Sequence, residues 1–263
     1  MLVFASFVPH SPLLLSSVGS DKTAKAQATI DALAELSDEL VASKPETIII
    51  LSSHAPVHES AFSINFHDSY SVDLSQFGDL NTKNQFFPDI AFIDRTQRAI
   101  RSEKIPITLD SFDKLDYGAS VPMLLLAQRI EQLRIVPVSS SRLSAKDHFH
   151  FGQALKNQIF ATSKRIAIIA SGDNAHTLTS ESPAGFNAMG AKYDATIIEC
   201  IKETNAAGLL NLNKRMREKA KQCSYESLAI LFGALDGVSV TPKILSYEYP
   251  FGVGYIVANF ELS

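Results

Sequence analysis

The chain has 263 residues, a length that favours one large α/β domain over two small ones. Its 46% hydrophobic and 20% charged residues exclude a disordered or fibrous chain, and a net charge of −4 gives no basic footprint for nucleic acid or anionic lipid. Two cysteines, Cys200 and Cys223, exclude a disulfide scaffold and a cysteine-rich zinc module, so a reducing cytoplasm is the expected compartment.

Leu2 to Val8 is a short apolar run closed by Pro9. It reads as a buried strand, because it lacks the basic start of a signal peptide. Ser20-Asp21 offers a helix cap, and a helix to about Ser43 follows, with Ile30, Leu33, Leu36 and Leu40 on one face. Glu46 to Leu51 is a second buried strand, so a βαβ unit with parallel strands is expected. Residues 57 to 86 read as irregular, with one strand near Ala61 to Phe66. A helix over Pro88 to Ser102 and a weak strand over Ile105 to Leu109 come next. The spacing then predicts a helix over Ser120 to Leu133, with Pro122 in its first turn, where a missing N–H does no harm.

Arg134 to Val138 is a strand, and its Pro137 predicts an edge position or an early end. Ser144 to Ala161 is helical, and Arg165 to Ala170 is a third strong buried strand. Helices over Asn187 to Lys202, Ala206 to Lys221 and Tyr225 to Leu235 follow. Strands over Val238 to Tyr247 and Gly254 to Leu262 form the end, close enough in sequence for an antiparallel hairpin. The expected architecture is a single α/β domain, with a central mixed, mostly parallel sheet flanked by helices. No stretch approaches the ~20 apolar residues of a membrane-spanning helix.

Three strands end in polar clusters that carry a histidine. His10 follows the first, His54 the second, and Asp173 and His176 the 165–170 strand. If these strands are parallel, the clusters share the carboxyl edge, where open α/β sheets place ligands. An isolated histidine after a strand is more often a capped or surface residue; three of them together favour a site. His58 and His67 are spare ligands or solvated, and His148 and His150 are expected on the surface of a helix. Two imidazoles call for a third, anionic ligand around a divalent metal. The candidates are Cys223, Glu226, Asp173 and Glu248. Cys223 and Glu226 flank a helix start, where the dipole favours an anion. A Gly-x-Ser-x-Gly elbow, a Walker loop and a Gly-x-Gly-x-x-Gly turn are all absent.

The segments Phe7-Val-Pro-His10-Ser-Pro12, Leu51-Ser-Ser-His54-Ala-Pro56, Leu115-Asp-Tyr-Gly-Ala-Ser-Val-Pro122 and Ala170-Ser-Gly-Asp-Asn-Ala-His176 occur in that order. Together they resemble the class III extradiol ring-cleavage dioxygenases, the LigB superfamily, which also contains the Memo-like proteins. Ser227 to Gly237 and Leu245 to Tyr255 resemble the branch found in AmmeMemoRadiSam-system proteins. The resemblance implies a LigB-like domain over residues 1–263 and a metal site at one sheet edge. It implies Fe(II), with zinc or another divalent ion as the alternative. His10 and His54 match the family's two histidine ligands. His176 matches its acid/base histidine, and Asp173 matches a site aspartate of the Memo branch. Cys223 matches the third ligand of that branch, while Glu226 lies near the glutamate of the dioxygenases. Local alignment prefers Cys223.

The implied partners are a small aromatic substrate of catechol type and dioxygen. No membrane or nucleic-acid partner is expected, and a homo-oligomer is compatible with the sequence. One departure concerns Tyr117, which stands where many dioxygenases carry a histidine between Asp and Gly. A phenol with a pKa of about 10 is a poor base near neutral pH. Tyr117 therefore weakens the case for catechol cleavage more than the case for a metal. The alternative is a Memo-like metal-binding or redox protein without ring cleavage.

Overall fold

Strand β1 (Leu2–Val8) opens the chain, and a short helix α1 (Ser16–Gly19) follows the Pro9–Pro12 turn in the computed structural model, which describes residues 1–263. Ser20 then takes a positive φ of 47° and breaks the helical path. Residues 20–26 wind as a tight 3₁₀ stretch, so α2 (Gln27–Ala42) starts six residues later than a cap at Ser20 predicts. Its first turn has no side-chain cap of its own. Glu248 reaches it instead, accepting a 2.7 Å hydrogen bond from the Thr29 N–H.

Strand β2 (Thr47–Ser52) follows as expected. The 57–86 segment is more ordered than its sequence suggests. It holds β3 (Phe62–Asn65), β4 (Tyr70–Val72) and β5 (Gln85–Pro88). These strands are only three or four residues long, too short to show a period. Helix α3 (Ile90–Ser102) is capped by Asp89, and β6 (Ile107–Asp110) and β7 (Lys114–Leu115) lead into α4 (Tyr117–Leu126). Asp116 caps α4 by accepting from Ala119 N–H, so this helix begins three residues before the expected start. Pro122 consequently sits inside it rather than in its first turn.

Strand β8 (Arg134–Ser139) is interior, against the expectation from Pro137. On one side it pairs with β2 along its whole length. On the other, β5 pairs with residues 134–135 and β3 with residues 138–139. Pro137 falls in the gap between these two partners, where a missing donor is tolerated. Helix α5 (Ala145–Phe160) carries a full capping box between Ser144 and Asp147. His148, expected on the surface, is only 1% exposed. Its Nδ1 donates to Ser144 O at 2.8 Å and its Nε2 accepts from Ser141 N–H at 3.2 Å, so a buried ring is fully satisfied. His150 is exposed as expected.

Strand β9 (Ile166–Ser171) and helix α6 (Ala188–Lys202) match their expected spans closely. The helix expected over 206–221 is broken into α7 (Ala206–Leu210) and α8 (Lys214–Ala220), because the Asn213 side chain caps a fresh start. Helix α9 (Tyr225–Ala234) and the antiparallel hairpin β10 (Val240–Glu248) and β11 (Tyr255–Leu262) complete the fold.

The sheet runs β10-β11-β1-β9-β2-β8-β5-β4-β7, with β3 and β6 branching from β8. Strands β1, β9, β2 and β8 are mutually parallel, and β11 closes antiparallel on β1. Successive side chains alternate between faces. Ile49 and Leu51 join the core under α5, α6 and α9, whereas Ile48 and Ile50 join the core under α2 and α4. Both faces are covered, which is why these strands read as unbroken apolar runs. No helix is long and apolar enough to cross a membrane.

Candidate metal centre

The parallel arrangement of β1, β2 and β9 puts their three exits side by side at the carboxyl edge. His10 leaves β1 and is 1% exposed. Its backbone N–H donates to Asp173 Oδ1 at 2.9 Å, which ties the β1 exit to the β9 exit. His54 leaves β2, with its N–H on Ser52 Oγ at 3.2 Å. Cys223 comes from elsewhere, on the loop between α8 and α9. Its N–H donates to Asp173 O at 3.1 Å, and its carbonyl accepts from Ser53 Oγ at 2.7 Å. Gly172 allows this approach, because a Cβ there would lie 2.4 Å from Ser224 Cα and 3.1 Å from Cys223 O.

Three ligand-type atoms therefore converge. His10 Nε2 lies 3.0 Å from His54 Nε2 and 3.2 Å from Cys223 Sγ, and the set lies within 4.8 Å. Burial pushes His10 down to about 3 and His54 down to about 4, so both imidazoles are neutral near pH 7. Burial drives the Cys223 thiol well above its usual value, and the nearby Asp173 adds to this. A cation among the three would reverse that preference, since a coordinating thiol ionises.

The tautomer of His10 follows from its neighbours. Pro122 has no N–H, so the Gly118 carbonyl one turn earlier in α4 has no helical partner. That carbonyl accepts a short hydrogen bond from Ser171 Oγ. Having spent its proton there, Ser171 Oγ accepts from His10 Nδ1–H at 2.8 Å. The His10 Nε2 lone pair then points into the cluster. Both the donor types and the orientation of this lone pair fit a divalent metal of borderline softness.

Tyr117 places its hydroxyl 2.9 Å from Nδ1 and 3.0 Å from Nε2 of His54. Burial, with Cys223 and Asp173 nearby, raises its pKa, so it stays a neutral phenol. The Tyr117-Gly118 turn lies close over the site, and a Cβ on Gly118 would stand 2.5 Å from Ser52 Oγ and 3.2 Å from His54 Cδ2. Asp173 is 7% exposed, and burial raises its pKa against the opposing pull of the His10 N–H. His176 Nε2 is buried with no hydrogen-bond partner. Burial lowers its pKa, and the Asp173 charge opposes that shift.

Of the residues singled out in the sequence, His10, His54 and Cys223 come together directly, with Tyr117 and Asp173 in contact with them. Glu226 is not in this group; its carboxylate stands 3.9 Å from Arg217. Glu248 is committed to α2. His58 pairs with Asp110 at 2.9 Å, and His67 Nδ1 bonds Ser69 O at 3.0 Å. The sequence reading missed Ser171, Ser52 and Gly118. The one signal for Ser171 was Pro122, four residues after Gly118, but it appears only once both are known to lie in one helix.

Comparison with known proteins places this chain in a family. Protein CA_C1420 of Clostridium acetobutylicum is 26% identical over 263 residues, covering 97% of this chain and 56% of its own length. This chain thus spans little more than half of that relative. The uncharacterized protein JW3007 from Escherichia coli K12 shares the fold, with a TM-score of 0.69 at 17% identity, over 98% of this chain and 99% of that one. The family model for the catalytic LigB subunit of aromatic ring-opening dioxygenase matches residues 4–258, nearly the whole chain. This chain belongs to the LigB family.

Proposed function

We propose that this protein is a metal-dependent oxidoreductase of the dioxygenase type, with His10, His54 and Cys223 holding one divalent ion. The observation that carries this reading is the convergence of three ligand atoms within 4.8 Å at the carboxyl edge of the sheet. Iron(II) is the proposed metal, on the strength of the family, and zinc is the main competitor for a site with a thiolate. When bound, such an ion supplies Lewis-acid and redox chemistry that the side chains lack. A small aromatic diol is the proposed substrate class.

The chain's own groups have distinct tasks in this reading. His176 Nε2, neutral and without a partner, accepts a proton from a substrate hydroxyl. Asp173 stabilises the imidazolium that results. The Tyr117 hydroxyl donates a hydrogen bond across the site and does not act as a base. The Tyr117-Gly118 turn helps exclude water from the cluster.

A second reading is a Memo-like metal-binding or redox protein without ring cleavage. Two observations favour it: a cysteine at the third corner, and a phenol where many relatives carry an imidazole. Metal analysis and oxygen uptake decide between the readings. The metal-centre reading expects Cys223→Ser to lose its metal and Glu226→Ala to keep it; the converse would overturn the ligand assignment. Oxygen consumption and ring-opened product from a catechol panel, with anaerobically Fe(II)-loaded protein, support the dioxygenase. Bound metal with no turnover supports the second reading.

A further inference from the structure

Two clefts flank the cluster, and their charges differ. The cleft beside Tyr117, of about 470 Å³, is lined by four acids, of which all but Asp113 are already engaged. Asp73 is paired with Lys114 at 2.5 Å, Asp110 with His58 at 2.9 Å, and Asp116 accepts from Ser52 Oγ and Ala119 N–H. The cleft beside Cys223, of about 920 Å³, is lined by Arg142, Lys146, Lys214, Arg217 and Lys221. Only Glu218 and Glu226 oppose these five cations.

Most of this positive charge is uncommitted. Arg142, Lys146 and Lys221 form no ion pair, and the two nearest acid contacts, Lys214–Glu218 and Arg217–Glu226, are both 3.9 Å long. Arg217 is the most informative of the five. Its side chain is only 23% exposed, and its guanidinium lies 4.0 Å over the Tyr225 ring. Its Nε is buried without a hydrogen-bond partner. A guanidinium held over an aromatic ring, with its Nε unpaired, is pre-oriented for a planar or tetrahedral oxyanion. A run of basic residues on α8 is ordinarily a solvated helix face. A half-buried arginine with an orphaned donor is not explained that way.

We propose that this cleft binds the oxyanion group, carboxylate or phosphate, of a small-molecule substrate whose other end reaches the cluster at Cys223. Cys223 and Ser53 line the cleft, and Cys223 also belongs to the cluster, so the cleft abuts the metal centre at this residue. The volume suits a ligand of one ring with a charged arm. The link to substrate rests on the metal-centre reading above, whereas anion binding itself does not.

Calorimetric titration at low ionic strength tests the proposal on the full chain, with benzoate, phenyl phosphate and neutral benzyl alcohol as probes. At least one anion should bind, benzyl alcohol should not, and affinity should fall as salt rises. Preference between the two anions identifies which oxyanion the cleft takes. Arg217→Met, which keeps the contact with Tyr225, should weaken anion binding tenfold or more. The exposed double variant Arg142→Ser/Lys146→Ser should weaken it severalfold, and it decides the matter if Arg217→Met does not fold. Equal binding of benzyl alcohol, no anion binding at millimolar concentration, or wild-type affinity in the folded variants would overturn the proposal. Metal content is read on the same samples. Anion binding by protein that takes up no metal would sink the metal centre and leave the cleft standing. Metal uptake without anion binding would do the reverse.

Discussion

Ser171 Oγ lies 2.8 Å from His10 Nδ1, and it can accept from that ring because its own proton goes to the Gly118 carbonyl. A proline in α4 therefore helps set which nitrogen of a β1-exit histidine faces the candidate metal. The link runs through three separate elements, β1, β9 and α4, and each step is a single hydrogen bond.

Ser171→Ala removes the acceptor for Nδ1–H and the donor for the Gly118 carbonyl. Outer-shell partners of this kind are worth about 10–100-fold in metal affinity. Chelator competition should show a loss in that range, together with a destabilisation of about 1–3 kcal/mol from the unpaired buried groups. Unchanged metal affinity would show that the serine does not orient His10. Pro122→Ala should act in the same direction but more weakly, because its new N–H competes for the carbonyl.

Gly172→Ala should displace the Cys223 loop. The added methyl would meet Ser224 Cα at 2.4 Å, which is backbone and cannot swing aside. Overpacking of this kind costs about 1–3 kcal/mol. Thermal melts should show that loss, and the purified variant should hold less metal than wild type. A variant with wild-type metal content would mean that the loop can shift without moving Sγ.

Tyr117→Phe tests whether the phenol is a donor or a base. Because its pKa is raised, the hydroxyl remains protonated across the accessible range. The variant should retain metal, lose activity by about tenfold through one missing hydrogen bond, and keep the wild-type pH profile. Disappearance of a pH-profile limb in the variant would assign the phenol a titrating role.

Asp194 should make stability depend on pH in an unusual direction. It is fully buried, it accepts from Ala175 N–H and bonds the Tyr247 hydroxyl, and burial pushes it up to about 7. Between about pH 4 and pH 7 the folded chain holds a proton that the unfolded chain releases. Unfolding free energy from this group therefore falls as pH rises through that window, and the full penalty is present above it. His10 and His54 act oppositely in metal-free protein. Their folded pKa values are depressed, so stability is lost as pH falls below about 6.5. Asp194→Asn keeps the geometry and isolates the first effect. Denaturant titrations should show the variant gaining on wild type by about 2–4 kcal/mol between pH 5 and pH 8. A difference independent of pH would show that Asp194 is ionised in the folded state.

The sequence by itself determined the strong elements and the edge at which they end. The apolar runs at 2–8, 47–52 and 166–171 are buried on both faces, and such runs have few alternatives to a parallel sheet. That alone put His10, His54 and Asp173 at one edge, since parallel strands share their polarity. The weaker elements were not legible. Strands of three or four residues leave no measurable period, and Pro137 misled because tolerance of a missing donor depends on which neighbours flank it. The site divided in the same way. Residues delivered directly by strands could be foreseen, whereas the preference for Cys223 over Glu226 rested on local alignment and not on the residues' physical chemistry. They lie three residues apart at a helix start, and only the packing of that loop against Gly172 turns one toward the histidines and the other toward Arg217. The hydrogen bonds that orient His10 join residues more than fifty positions apart, so only the tertiary structure decided which of its nitrogens is free.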